Sequence, residues 1–597
     1  MEEKGGSFAS FRAYCNALRD TPRRVVRRAG AVLSSGDELS RVKARSGAEM
    51  QRNLRWYDLV CLGIGGMVGA GVFVTTGRAA RDYAGPAVIV SYAIAGLSAL
   101  LSAFCYTEFA VAMPVAGGAF SYLRITFGEL AAYMTGANLL MEYVLSNAAV
   151  ARSLTSYLGA AIGTNTDSWR FKVDLLMKGY NELDLLAVAI IVLITICICY
   201  STKESSVFNM VLTALHLGFI LFIIAIGFAK GKNRNFSEPE KPTSPDGFMP
   251  YGVSGVFNGA AIVYFSYIGY DAVSTMAEEV KYPVKDIPIG VSGSVVIVTV
   301  LYGLLSAAMC KLVPYDLIDE NAPFSMAFKE GAFKDRPWVS NVVGAGASLG
   351  IMTSLMVAML GQARYMCVIG RSHVIPAWFA KVNPKTGTPL NASVFLGICT
   401  AVIALFTDLG ILVNLICIGT LLVFYMVANA LIYRRYVVIG KTNPWPTLGF
   451  LTVLSSIAVG FASLWQMDGT HLHSGWALGL CLCGLSAVVL THSFWMLVPQ
   501  ASIPQDWGVP CMPWIPAASI FLNVFLLGSL DKHSYIRFAL FSAIALLFYV
   551  LYSVHASYDA EQGQSVIRIL FVPPPADLFT LPTKISEPAQ KAGPDCV

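Results

Sequence analysis

The residues best placed to do chemistry are backbone groups freed by glycine, together with a few charges set in apolar sequence. Leu62-Gly-Ile-Gly-Gly-Met-Val-Gly-Ala-Gly-Val-Phe73 carries five glycines in nine positions, Gly63 to Gly71. Each costs a helix about 1 kcal/mol relative to alanine, so the five predict an unwound segment inside an apolar span. A close-packing seam of small residues is the alternative, and the spacing Gly65, Gly69, Phe73 meets it only in part. A second interruption, Phe265-Ser-Tyr-Ile-Gly-Tyr-Asp271, runs on into the polar exit Ala277 to Pro288. A broken helix offers N–H groups from one half and C=O groups from the other, which suit a carboxylate and an ammonium. A zwitterionic amino acid presents both charges on one carbon, so the two breaks point to that substrate class.

Ionisable residues inside apolar spans are costly and are therefore functional candidates. Glu142 stands mid-span in Asn138-Leu-Leu-Met-Glu-Tyr143. It could pair with a cationic side chain, since charge-assisted bonds are strong in low dielectric, or be held by hydroxyls away from any substrate. Asp271 follows the second break and could either satisfy its freed N–H groups or sense protons. His216 has no other ionisable residue within six positions on either side. It reads as a hydrogen-bonded core histidine or as a proton switch, an imidazole's ordinary pKa being near 6.5. Glu108 lies late in the second span, and Glu129 opens the third, where the helix dipole favours a carboxylate as a cap.

The elements that must position these groups are membrane helices. The chain has 597 residues, 55% hydrophobic and 13% charged, with a mean hydropathy of +0.61. A soluble surface takes about a quarter of residues charged. The apolar residues come in blocks such as Leu183 to Tyr200, Val207 to Ala229 and Ile289 to Val313. Each block is long enough to cross a hydrocarbon core of about 30 Å as a helix. Lipid leaves backbone groups no other partner, so the blocks are helical, and the ten-residue alternation of a barrel is absent. About 14 spans are expected, beginning near Tyr57, Ala87, Glu129, Leu183, Val207, Gly255, Ile289, Trp338, Leu390, Ile411, Thr447, Gly475, Trp514 and Tyr535. The breaks then fall in spans 1 and 6, the arrangement that two inverted five-helix repeats around a midplane site predict.

Arg23, Arg24, Arg27, Arg28, Arg41, Lys43 and Arg45 precede the first span, which by the positive-inside rule keeps the N-terminus cytosolic. An even span count returns the C-terminus there. Lys230, Lys232, Arg234 and Lys241 fall on an expected outer loop and run against the rule. The expected organisation is a basic cytosolic segment 1–55, a ten-helix core 56–436, four further helices 437–557 and a cytosolic, disordered tail 558–597. The plasma membrane is the expected location, with a vacuolar or other internal membrane as the second reading.

In their order, Gly63 to Phe73, Phe265 to Asp271 with Glu278-Glu279, Lys281 and Pro288, and Gly361-Gln-Ala-Arg364 resemble the amino acid–polyamine–organocation superfamily. The span count and the Glu278-Glu279 exit resemble its cationic amino acid transporter family, and the long basic N-terminus and tail resemble the plant branch. The resemblance covers roughly residues 50 to 560. It implies an all-α membrane fold of the inverted-repeat type with broken helices 1 and 6 plus four C-terminal helices. It also implies uptake of arginine, lysine and related amino acids without a cofactor. The α-carboxylate would meet N–H groups of Ala70 and Gly71. The α-amino group would meet carbonyls near Ile64 and Gly66, with Met67 beside them, and around Phe265, Ser266 and Ile268. Phe265 would gate the site, Glu142 and Asn147 would face its pocket, and a protonated His216 would stand in for a sodium ion against the first break.

Other classes have less support. The sequence contains no HExxH, no GxSxG and no phosphate-binding Gly-Lys-Ser/Thr loop, so an enzyme is not expected. Asp468, His471 and His473 crowd one loop without a third ligand cluster, and the 13 cysteines lie mostly in apolar spans, so no metal is expected. A net charge of +5 is too small to suggest nucleic acid. The expected partners are the substrate, protons and lipid. A sensor that binds ligand without flux, and a carrier preferring neutral amino acids or polyamines, remain open alternatives.

Overall fold

A computed structural model describes residues 7–30, 54–114, 117–164, 169–200, 206–242, 244–331, 333, 337–383, 386, 388–438, 441–467 and 474–560. The tail beyond 560, the segment with Arg41, Lys43 and Arg45, and the Asp468–His473 loop lie outside the described residues.

The fold is all-helical apart from a two-residue hairpin pairing Phe171 with Leu183 and Lys172 with Glu182. Helices α1 (Phe11–Arg19) and α2 (Thr21–Ala29) form an N-terminal arm. The first apolar span is split into α3 (Trp56–Met67) and α4 (Ala70–Arg78). Then come α5 (Val88–Ala112), the short α6 (Gly118–Thr126), α7 (Glu129–Ile162), α8 (Leu185–Tyr200) and α9 (Ser206–Lys230). The second split element is α10 (Gly252–Val263), a 3₁₀ turn Tyr264–Tyr267, and α11 (Tyr270–Thr275). It is followed by α12 (Pro283–Leu312), α13 (Pro323–Glu330), α14 (Pro337–Arg371), α15 (Leu390–Phe406) and α16 (Leu409–Tyr436). Four more helices follow among the described residues: α17 (Trp445–Met467), α18 (Ser474–Leu497), α19 (Trp514–Gly528) and α20 (Lys532–Phe548), the last running on through a π turn (Tyr549–Ser553) to Ala560.

Eight helical stretches among the described residues are long and apolar enough to cross a membrane, and three shorter apolar helices accompany them. Neither α3 nor α10 nor α11 could span alone, because each is half of a broken element. α12 begins at Pro283, six residues before the expected start, and its second turn holds Pro288, which the sequence had placed in an exit loop.

α12 packs along α3 and α5, and α7 lies against α14 and α16, so the broken elements are enclosed by long continuous helices. On one face, backbone hydrogen bonds join Leu54, before α3, to Glu279 (3.0 Å) and Lys281 (2.9 Å), after α11. Separately, the arm is clamped to the end of the last helix. The Ser7 hydroxyl donates to Asp559 at 2.9 Å, and Tyr14 donates to the Leu551 carbonyl at 3.0 Å. Arg24 lies over the Tyr558 ring.

Glu129 does not serve as a simple cap. Its buried carboxylate accepts from Arg28 and from the Ser557 hydroxyl (2.7 Å), joining α2, α7 and the last helix. Gly128 just before it holds φ +95°, and a side chain there would strike the Ala29 carbonyl. A second buried ion pair closes the bundle elsewhere: Arg435 of α16 donates to both oxygens of Glu108 of α5, at 2.7 and 3.0 Å. The same carboxylate accepts the Val509 N–H at 2.7 Å from the loop before α19. Arg234, one of the cations on the expected outer loop, is paired with Glu238 four residues on.

Candidate functional site

The unwinding is short and sharp. Val68 leaves the helix at φ −77°, ψ 93°, Gly69 is fully extended, and α4 restarts at Ala70. The first-turn N–H groups of Ala70 and Gly71 therefore have no partner within their own helix. Two contacts show why glycine is needed here. A β-carbon on Gly71 would lie 2.7 Å from the Ser266 α-carbon, and one on Gly269 would lie 2.5 Å from the Gly66 carbonyl oxygen. Gly269 also holds φ +121°, a conformation other residues rarely adopt. The two breaks are thus pressed against each other, backbone to backbone.

Tyr302 of α12 bridges them, its hydroxyl lying 2.7 Å from the Met67 carbonyl and 3.1 Å from the Ser266 carbonyl. Among the expected acceptors, the Ile64 carbonyl already takes the Val68 N–H at 2.7 Å, and the Phe265 carbonyl takes the Ile268 N–H at 3.2 Å. Each keeps its second lone pair for a ligand. Ile64, Met67, Phe265 and Ser266 are buried, Ile268 is half-buried and Gly66 is exposed. The Ser266 hydroxyl joins Thr75 (2.9 Å) and Tyr92 (3.4 Å), tying the second break to α4 and α5. Asp271 accepts the Gly269 N–H at 3.2 Å, so its carboxylate meets a donor freed by the break.

Glu142 and Asn147 are both buried on α7, at 3% and 0% exposure. Asn147 donates to Gln362 of α14 at 2.9 Å, which gives the Gly361-Gln-Ala-Arg364 motif a place beside the site. Asp271 lies close enough to act on Glu142 electrostatically, and the Tyr106, Tyr143 and Tyr365 rings share the same surroundings. Three buried acceptors on α7 have no hydrogen-bond partner among the described residues: Glu142 Oε2, Asn138 Oδ1 and Asn147 Oδ1. Thr420, the hydroxyl beside Glu142, already donates to the Ile416 carbonyl at 3.0 Å.

His216 of α9 lies beside the first break. Its ring stacks on Phe73 of α4 (centroids 5.4 Å apart, planes 11°) and covers Gly350 of α14. Nε2 is unpartnered among the described residues. The ring borders a cavity of about 20 Å³ shared with Ile64, Val68, Thr353 and Ser354. That is room for one water and not for an amino acid. The fold thus brings Ile64, Gly66, Met67, Gly71, Phe265, Ser266, Ile268 and Asp271 together, sets Glu142 on α7 within reach of Asp271 and Asn147 on α7 against Gln362, and sets His216 on α9 against Phe73.

Tyr302, Thr75 and Tyr92 escaped sequence reasoning, Gln362 entered it only as part of a family motif, and Ser266 only for its carbonyl. The available signal was that a tyrosine buried in an apolar span needs a partner for its hydroxyl. No group of three or more His, Cys, Asp or Glu capable of holding a metal occurs among the described residues.

Comparison with known proteins matches residues 54–486 to the amino acid permease family and residues 507–557 to the C-terminus of that permease group. Two Arabidopsis thaliana proteins, cationic amino acid transporter 7, chloroplastic, and cationic amino acid transporter 6, chloroplastic, are 64% and 63% identical. Each alignment covers 94% of this chain and 95% of the relative. Cationic amino acid transporter 1 of the same plant is 45% identical over 93% of this chain and 91% of its own. The names of the first two overturn the plasma-membrane expectation and point to an internal membrane. Location is read by receptors from address signals, which composition and span pattern do not disclose. The chain is a membrane transporter, not an enzyme, and it belongs to the amino acid permease family, among the plant cationic amino acid transporters.

Proposed function

We propose that this protein carries cationic amino acids, arginine and lysine, across a chloroplast membrane by alternating access around the paired breaks. The observation that carries the cationic reading is the set of three buried acceptors on α7 that lack donors among the described residues. A buried acceptor left unmet costs about 1–3 kcal/mol, and a guanidinium or ammonium would supply the missing N–H groups. The N–H groups of Ala70 and Gly71 would hold the α-carboxylate. The carbonyls of Ile64, Gly66, Phe265, Ser266 and Ile268 would hold the α-amino group, with Met67 beside them and Phe265 closing over the ligand. Glu142 and Asn147 would meet the side chain.

In this reading α3/α4 to α9 and α10/α11 to α16 are two inverted repeats of five spans each. Residues 56–436 make the transport core, and α17 to α20 bring the total to 14. Transport is coupled to protons, with His216 bearing the charge against the first break and Asp271 as a second candidate. The test is uptake of radiolabelled arginine into proteoliposomes of the purified protein, with and without an inward proton gradient. Uptake that rises with the gradient and is competed by lysine is the expected result. Arginine flux indifferent to the gradient would remove the proton role, and binding without flux would make the protein a sensor.

A further inference from the structure

The N-terminal arm has two distinct faces. Residues 7–30 carry six arginines against one acid, Asp20. The inward face is used up in docking. Thr21 meets His555 at 3.2 Å, Arg24 meets Ser7 (2.7 Å) and His555 (3.2 Å), and Arg28 pairs with Glu129. The outward face repeats at helical spacing: Phe11, Cys15 and Arg19 with Arg12 on α1, and Arg23 with Val26 on α2. Phe11 is 84% and Val26 82% exposed, and Phe8 just before α1 is 46% exposed. Large apolar side chains alternating with guanidinium groups make a poor surface for water alone, and the combination is the one interfacial helices present to a charged bilayer.

Placement supports the same reading. The arm is fastened to residues 551–559 at the end of the last helix and to Glu129 at the start of α7, so it sits where membrane helices emerge. We propose that the outward face of α1 and α2 binds anionic lipid headgroups, with Arg12, Arg19 and Arg23 meeting phosphate and Phe11 and Val26 entering the interface. The arm thereby clamps the start of α7 and the end of the last helix to an acidic leaflet. The proposal is independent of what the protein transports.

The test titrates phosphatidylglycerol or phosphatidylcholine into the full-length protein in detergent and follows the thermal unfolding midpoint. Phosphatidylglycerol should raise the midpoint more than phosphatidylcholine does, and added salt should shrink the difference. The variant Arg12→Gln/Arg19→Gln/Arg23→Gln should keep its midpoint in phosphatidylcholine, because all three side chains are exposed. Its apparent affinity for phosphatidylglycerol should fall roughly five-fold per arginine removed. If the triple variant folds poorly, Arg12→Gln and Arg19→Gln singly give the same reading at smaller size. Equal responses to the two lipids, an undiminished phosphatidylglycerol response in the variants, or an equal rise with soluble polyglutamate would each overturn the proposal.

Discussion

At the scale of single residues, the chemistry rests on side chains with a polar atom that finds no partner among the described residues. Glu142 is the sharpest case, since a buried carboxylate oxygen without a donor is tolerated only where something else supplies one. Glu142→Gln keeps the shape and removes the charge. It should lower arginine uptake about ten-fold or more, the worth of a charge-assisted bond, and lower neutral amino acid uptake far less. Parallel uptake assays with both substrates decide this, and equal losses would leave Glu142 a structural residue. His216 makes a separable prediction. Its ring packs flat between Phe73 and Gly350, so His216→Ala should cost stability through lost packing as well as change the pH dependence of uptake. An unchanged pH profile, whatever the midpoint does, would remove it from proton coupling. Both residues were legible in the sequence because an ionisable group in an apolar span is rare enough to stand out. What lay beside them was not legible: nothing in the spacing of Asn147 and Gln362, 215 positions apart, announces a 2.9 Å hydrogen bond.

At the scale of elements, the two breaks behave as one joint. Glycine made them readable, since its helix cost is local and additive, and both interruptions lie where the glycines predicted. The facing of one break on the other was not readable, because it depends on how distant segments pack. The joint tolerates no added atom: Gly71→Ala and Gly269→Ala should each cost about 1–3 kcal/mol of stability and most of the uptake. Gly303→Ala, on α12 with open space around it, is the control. It should be neutral or stabilising by up to about 1 kcal/mol. Thermal midpoints and uptake of the three variants would test the contrast, and similar behaviour would mean that the close approach is not maintained. Tyr302→Phe removes only the hydroxyl that touches both breaks. It should lower stability by about 1–2 kcal/mol. If the joint matters to transport, uptake should fall more than that loss of folded protein explains.

At the scale of the whole molecule, the last four helices are tied to the core by charge as well as by apolar packing. Arg435 and Glu108 are both buried and share their bonds with the loop before α19. Removing one partner of such a pair leaves an uncompensated charge, so Arg435→Met alone should cost about 3–5 kcal/mol. Glu108→Leu/Arg435→Met together should recover much of it, and a double variant no better than the single would refute an energetic role for the pair. The helical class and the approximate helix positions could be read from apolar block lengths, whereas this tie could not, since its partners are 327 residues apart and each resembles an ordinary end-of-span charge. The same three-way contact sets a rule for recombining relatives. A hybrid that takes its first 436 residues from one parent and the remainder from another divides the Glu108–Arg435 pair from the Val509 amide that completes it. Grafts whose junction lies beyond Val509 should therefore express and fold more readily than grafts cut at the apparent border between core and C-terminal helices.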